Sequence, residues 1–337
     1  MEKMNKKILI TAFEPFRDCR ENITEKILKD LKNGRGIYKS LLPLRSFLVF
    51  FLMVLSLSIS CLNLVVSIPP QKYFVEKIAD ENSDISVMIG PGVDAHSFSP
   101  TPSQLMRLAK ADIYFSIGLE FEETLLNKVI NINNSIRIVP LDSVCKKREM
   151  EDPFDSHDHH EHSGHSHGRY DPHVWTSIEN VKKMTERITE VLSEHEEEKR
   201  NIYRKRKESF FSELDELKET IKNNLSIRKE NRFFMIFHPS WGYFAQEFDL
   251  VQIPVEIEGK EPTISELRHL MDFAEEKNVR TLFVQPQYGS KAPDIIADHI
   301  GAELQEIYAL EYDYIDNMRL FSEKLRRSFE EEEANFE

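Results

Sequence analysis

From Leu64 onward, short runs of β-branched and aromatic residues alternate with segments whose apolar positions recur every three or four residues, as in parallel α/β domains. Leu64–Ile68, Ile85–Ile89, Ile113–Ile117 and Ile136–Leu141 read as one group of strands. Phe233–Phe237, Val251–Glu256 and Thr281–Val284 read as a second group. Between the groups, Ser177 to Ser226 is helical in pattern. In its second part, Glu197–Ser226, Ile202, Phe210, Leu214, Leu217, Ile221 and Leu225 fall on one stripe. At 1.5 Å per residue this predicts a helix of about 45 Å. It reads as a rigid rod joining two α/β lobes, with a peripheral helix of one larger domain as the alternative.

One further apolar stretch breaks the alternation. Ser46 to Asn63 is the only long uncharged run, and Lys39 and Arg45 precede it. Its apolar core has the length of a signal-peptide h-region and is short for a spanning helix of about 20 residues. Small residues, Ser58 and Ser60, lead to Cys61. A buried core strand or helix is the other reading of this run.

Charge sharpens that boundary. The 337 residues carry 44 Lys and Arg against 58 Asp and Glu, a net of −14. Through Arg45 there are 11 basic and 6 acidic residues, which leaves 33 and 52 for the rest. A basic leader, an apolar run and an acidic body form the layout of an exported protein. The acidic body excludes a general nucleic-acid binder, which needs a basic footprint. Three cysteines, Cys19, Cys61 and Cys145, form no CxxC pattern and imply no disulfide framework.

Candidate chemistry lies in the histidines. His157, His159, His160, His162, His165 and His167 fall within eleven residues rich in Asp, Ser and Gly, the composition of an exposed loop. Clustered imidazoles suit Zn²⁺, Cu²⁺ and Ni²⁺. A flexible loop gives weak, multiple sites, so this one reads as a collector. Three other histidines have more specific surroundings. His96 follows a strand and a Gly-Pro-Gly turn, His173 precedes a helix, and His238 ends a strand. Ligand sites in open parallel sheets form beyond the carboxyl ends of strands, where His96 and His238 belong.

Pro91-Gly-Val-Asp-Ala-His96-Ser-Phe-Ser-Pro-Thr-Pro-Ser103, Asp171-Pro-His173-Val-Trp175 and His238-Pro-Ser-Trp-Gly-Tyr-Phe-Ala245 resemble the solute-binding proteins of zinc and manganese ABC transporters, the ZnuA/TroA-like group. Glu258-Gly-Lys-Glu-Pro-Thr-Ile-Ser-Glu-Leu267, Phe283-Val-Gln-Pro-Gln-Tyr288 and Asp313-Tyr-Ile-Asp-Asn-Met318 extend the likeness from about Leu64 to Leu325. The resemblance implies two parallel-sheet α/β lobes joined by a long helix, with the metal in the cleft between them. It implies His96 and His173 as ligands from the first lobe and His238 from the second. Three imidazoles suit Zn²⁺ better than oxygen-preferring Mn²⁺. The fourth position is open to water or to a carboxylate such as Glu311, because Tyr308 stands where relatives carry Asp and Ala95 where others carry an acid.

The implied protein is not an enzyme. It is an extracytoplasmic, monomeric zinc receptor serving an ABC permease, with manganese as the less favoured cargo. A zinc hydrolase is a rival reading, since three histidines with an open position also form a catalytic arrangement. It lacks an HExxH motif and an evident general base. A surface adhesin on the same fold is a further alternative. Cys61 resembles a lipoprotein acylation site, which would attach the protein to the membrane through its N-terminal segment.

Residues 6–32 resemble the start of pyroglutamyl-peptidase I without that family's later catalytic residues, so 1–36 is expected to be a non-functional fragment. The expected organisation is then 37–62 as signal segment, 63–196 as first lobe with a His-rich loop at 155–168, 197–226 as linker helix, and 227–330 as second lobe.

Overall fold

The computed structural model describes residues 62–90, 92–95, 98–150, 170–228, 232–256, 260–285 and 289–334. The first lobe is built on β1 (Asn63–Val66), β2 (Asp84–Val87), β3 (Ile113–Ser116) and β4 (Arg137–Pro140), in the order β2-β1-β3-β4. β1, β3 and β4 pair in parallel, with Leu64 opposite Ile113 and Ile113 opposite Arg137. The second lobe repeats the scheme. β5 (Phe233–Ile236), β6 (Val251–Pro254), β7 (Thr281–Val284) and β8 (Glu303–Glu306) pair in parallel in the order β6-β5-β7-β8.

Burial follows position in each sheet. All four residues of β3 and of β5 are buried, as befits strands covered on both faces. The edge strand β8, Glu-Leu-Gln-Glu, is exposed at both ends and has no apolar run to announce it. β1 and β2 each start one residue before their expected segments and end two residues short, and β3 to β7 lie within theirs. β4 ends at Pro140, and Leu141–Val144 continues as a 3₁₀ turn.

The covering helices are α1 (Pro69–Ile78), α2 (Pro102–Leu108), α3 (Glu120–Ile132) and α4 (Ile178–His195) in the first lobe. α6 (Gly242–Glu247), α7 (Ile264–Glu276), α8 (Ala292–Ile300) and the final α9 (Tyr314–Ala334) belong to the second. α5 (Arg200–Leu225) leads from α4 to β5 and packs on α1, α4 and α9. Its 26 residues span about 39 Å.

The expected continuous helical stretch is divided. Glu196 leaves helical geometry and Glu197–Lys199 form a 3₁₀ turn, so α4 and α5 fold back against one another. Phe210, Leu214, Leu217, Ile221 and Leu225 are buried as their spacing requires. Ile202 is not: it is 48% exposed, and Tyr203 is buried instead. Seven residues back from Phe210 is almost two full turns at 3.6 per turn, whereas eight overshoots the stripe. Tyr203 also gives its hydroxyl hydrogen to Glu196 at the α4–α5 junction.

Phe321 of α9 packs on Phe234, Trp241, Phe244 and Phe283 and so joins that helix to the second lobe's core. Among the described residues no helix is long and apolar enough to cross a membrane.

Candidate metal centre

Both sheets reverse strand order beside their first strand, β1 against β3 and β5 against β7. The crevice beyond the carboxyl ends at such a reversal is where open α/β sheets hold ligands. His238 lies just past β5, and Gln285 just past β7. The Gln285 side chain accepts the His238 backbone N–H at 3.2 Å and donates to the His238 carbonyl at 3.1 Å and to Ser240 Oγ at 2.8 Å. That clamp fixes the backbone from which the His238 ring projects.

His173 comes from the first lobe, at the start of a 3₁₀ turn over Val174–Thr176, before Ser177 caps α4 by accepting the Asn180 N–H. Asp171 determines its orientation. One oxygen, Oδ1, lies 2.9 Å from the His173 backbone nitrogen and 2.8 Å from Nδ1. The other oxygen pairs with Arg148 Nη1 at 3.0 Å. Glu256, just past β6, does the same for the second imidazole, with Oε2 3.0 Å from His238 Nδ1.

Both rings are buried, at 6% and 4% exposure, and their Nε2 atoms face one another at 3.3 Å. The carboxylates decide what those atoms can do. An ionised carboxylate only accepts, so a carboxylate facing Nδ1 places the hydrogen there, and a neutral ring held this way turns its Nε2 lone pair toward the other ring. Two acceptors at this distance make no bond between themselves, and the arrangement is suited to a cation. Two nitrogens bound at 2.0–2.1 Å to a tetrahedral Zn²⁺ would stand about 3.3–3.4 Å apart. Carboxylate–imidazole–metal relays of this kind fix the tautomer and raise the basicity of the ligand.

Titration supports the neutral ring. Burial pushes the His238 pKa below its ordinary value, with the neighbouring His173 acting in the same direction against the raising effects of Glu256 and Asp94. For Asp171, burial alone would raise the carboxyl. Its bonds to His173 and the charge of Arg148 outweigh that and hold it below the usual range.

A family model described as ZnuA, zinc-uptake complex component A, periplasmic, matches residues 64–328. The chain belongs to this family. Among its ZnuA-family relatives, the high-affinity zinc uptake system protein ZnuA of Bacillus subtilis is 28% identical over 254 residues, covering 74% of this chain and 79% of the relative. The manganese-binding lipoprotein MntA of Halalkalibacterium halodurans is 26% identical over 238 residues, covering 69% and 74%. A crystal structure of ZnuA has a TM-score of 0.72 and 33% identity, covering 80% of this chain and 99% of that one. The ZnuA family is one of metal-uptake components rather than enzymes.

The structure therefore brings together two of the three expected ligands, His173 and His238. His96 lies outside the described residues, as do Cys61 and the histidines at 157–167. The charge of Asp94, two positions before His96, is felt at His238. Glu311 is exposed, and its carboxylate accepts the Tyr312 backbone N–H at 3.0 Å. Among the described residues no group of three or more His, Cys, Asp or Glu side chains forms a metal cluster. Residues 6–32, for which a pyroglutamyl-peptidase resemblance was expected, lie outside both the described residues and the matched span.

Reading the sequence for ligands passed over Asp171, Glu256, Gln285 and Arg148. Asp171 had a local signal, an acid two positions before a candidate His. Gln285 lay within the quoted Phe283-Val-Gln-Pro-Gln-Tyr288 motif without a stated role, and Glu256 and Arg148 had no such signal, because strand pairing and loop packing bring them to the site.

Proposed function

We propose that this chain captures Zn²⁺ outside the cytoplasmic membrane and hands it to an ABC permease. The observation that carries the reading is the 3.3 Å separation of the His173 and His238 Nε2 atoms, each ring held by a buried carboxylate. His96 supplies the third imidazole. Water takes the fourth position, with the exposed Glu311, whose Oε1 accepts the Tyr312 N–H, as the alternative. Borderline Zn²⁺ accepts such nitrogen donors, and Mn²⁺, which prefers oxygen, is the less favoured cargo.

Residues 63–196 and 227–330 form the two lobes and 197–226 the link, with no wide hinge. Segment 37–62 directs export, and Cys61, once acylated, attaches the protein to the membrane. The His-rich loop at 155–168 collects metal near the site. Residues 1–36 take no part, and the receptor acts as a monomer.

Metal analysis and competition titration of the full chain, with and without residues 157–167, test this reading. One tightly bound Zn²⁺ per chain should survive deletion of the loop. His238→Ala should weaken it about a hundredfold or more, taking one ligand as a quarter of the ~10–16 kcal/mol of a zinc site, at 1.4 kcal/mol per tenfold. Protons compete for imidazole, so affinity should fall with pH, and the depressed His238 pKa should carry retention below the ordinary imidazole range. Loss of stoichiometric zinc with the loop alone would refute the three-histidine site.

A further inference from the structure

The two histidines come from different lobes, yet the support of one is packed against the segment that carries the other. Arg148 makes this connection. Glu149, the next residue in the chain, forms an isolated antiparallel bridge with Tyr170, and the Asp171 N–H donates to the Arg148 carbonyl at 3.0 Å. The Arg148 side chain, 10% exposed, pairs with Asp171 Oδ2, the oxygen not used by His173.

The opposite wall of this ion pair belongs to the second lobe. Gly242 opens α6 four residues after His238. A Cβ on Gly242 would overlap Arg148 Nη1 and lie 2.8 Å from Asp171 Oδ2. Here the absence of a side chain matters for close approach, since Gly242 has no positive φ. The next residue, Tyr243, accepts the Arg148 backbone N–H at 3.1 Å and donates its hydroxyl to the Asp171 carbonyl at 2.8 Å. Its ring lies under the guanidinium, 5.9 Å from centroid to Cζ. The His238-Pro-Ser-Trp-Gly-Tyr segment thus supplies one metal ligand and also bears on the ion pair that orients the other.

We propose that Arg148 is a positioning residue for the metal, which holds the Asp171 carboxylate toward His173 only while the His238 segment is seated against it. The inference rests on the zinc reading of the site and adds a route for release. Displacement of α6 by a fraction of its contact distance frees the guanidinium, Asp171 loses its counter-charge, and the His173 ring loses its fixed direction. Both imidazoles are then withdrawn by one movement. Packed contacts change over such small shifts because they are bistable rather than elastic.

The test compares Arg148→Met, Arg148→Lys, Arg148→Ala, Gly242→Ala and the Arg148→Ala/Gly242→Ala double variant in the full chain. Zn²⁺ affinity is read by competition with a chromophoric chelator, ligand geometry by the d–d bands of the Co²⁺-loaded protein, and folding by apo thermal unfolding. Arg148→Met and Gly242→Ala should each weaken Zn²⁺ by about ten- to a hundredfold, the range for loss of an outer-shell partner. The Co²⁺ bands should weaken, and Arg148→Lys should recover part of both signals.

Gly242→Ala should add little in the Arg148→Ala background, which makes room for the methyl group. That non-additivity also serves if Arg148→Met does not fold. Affinities within about twofold of the parent with an unchanged Co²⁺ spectrum, or fully additive losses in the double variant, would overturn the coupling. If the parent itself fails to bind one Zn²⁺, or binds it equally well as His238→Ala, the zinc reading falls instead.

Discussion

The segment carrying His173 is held mostly by its near neighbours in sequence. Asp171, two positions earlier, takes both its backbone N–H and its Nδ1–H, and Thr176 donates its hydroxyl to its carbonyl. The segment carrying His238 is held from a distance. Its Nδ1 meets Glu256, 18 positions on, and its backbone is clamped by Gln285, 47 positions on. The first arrangement is a local turn that needs Arg148 to neutralise its acid. The second exists only when β5, β6 and β7 have paired. One site therefore joins a ligand fixed by a short motif to a ligand fixed by a sheet.

Exchanging each carboxylate for its amide separates the two cases most strongly. Asp171→Asn and Glu256→Gln should both weaken Zn²⁺ by about ten- to a hundredfold, because each removes the acceptor that raises imidazole basicity. Their effects on the apo protein should differ. Asp171→Asn breaks the buried ion pair between Asp171 and Arg148, a cost of about 3–5 kcal/mol. Glu256→Gln exchanges one hydrogen-bond acceptor for another and should cost about 1 kcal/mol. Urea unfolding of the two apo variants measures this, and equal losses would show that the Arg148 pair is not the distinguishing contact.

Acid should separate them next. His238 has a folded-state pKa below its ordinary value, so the unfolded chain binds its proton first, and stability falls as pH drops below about 6.5. Asp171 is also depressed, but its contribution is intact above the unfolded carboxyl pKa of about 3.9 and is lost only as pH falls through the folded value. Apo stability followed from pH 8 to 3 should show two declines. His238→Asn should remove the upper one and Asp171→Asn the lower. A single decline abolished by either substitution would mean that the two supports titrate as one unit.

What could be read from the sequence follows the same division. The strands with apolar runs, the long helix and the two histidine motifs announce themselves, because each depends on residues within a turn or a strand of one another. Asp171 lies within such a motif, and its proximity to His173 is already a structural fact in the unfolded chain. Glu256 and Gln285 end two strands whose order in the sheet no local pattern fixes. β8 is a polar edge strand, defined by its partner β7 rather than by its own residues. Tyr203 replaced Ile202 on the buried stripe because a helical period of 3.6 resolves adjacent residues only when it is anchored at a known position. Arg148 was hidden for another reason: its role depends on a missing side chain at Gly242, ninety-four positions away.

The smallest expected difference lies in the two tryptophans, the chain's full complement. Trp175 follows His173 by two positions and Trp241 follows His238 by three, and both are buried to within 2%. Trp175 Nε1 donates at 2.7 Å to the carbonyl of Ala309, 134 positions away in the segment between β8 and α9. That segment is tied to the first lobe again where Tyr312 meets Glu76 and Tyr73. Trp241 Nε1 has no hydrogen-bond partner among the described residues, and its ring works by packing on Phe321 and Phe244. Phenylalanine keeps part of the packing at either position but cannot donate. Trp175→Phe should therefore cost about 1 kcal/mol more than Trp241→Phe, the net worth of one hydrogen bond. Because Tyr312 still holds the Ala309 segment, zinc affinity should change by less than about threefold in Trp175→Phe, a shift under 1 kcal/mol. A larger loss of zinc would mean that the Trp175–Ala309 bond, rather than Asp171 and its local turn, sets the direction of His173.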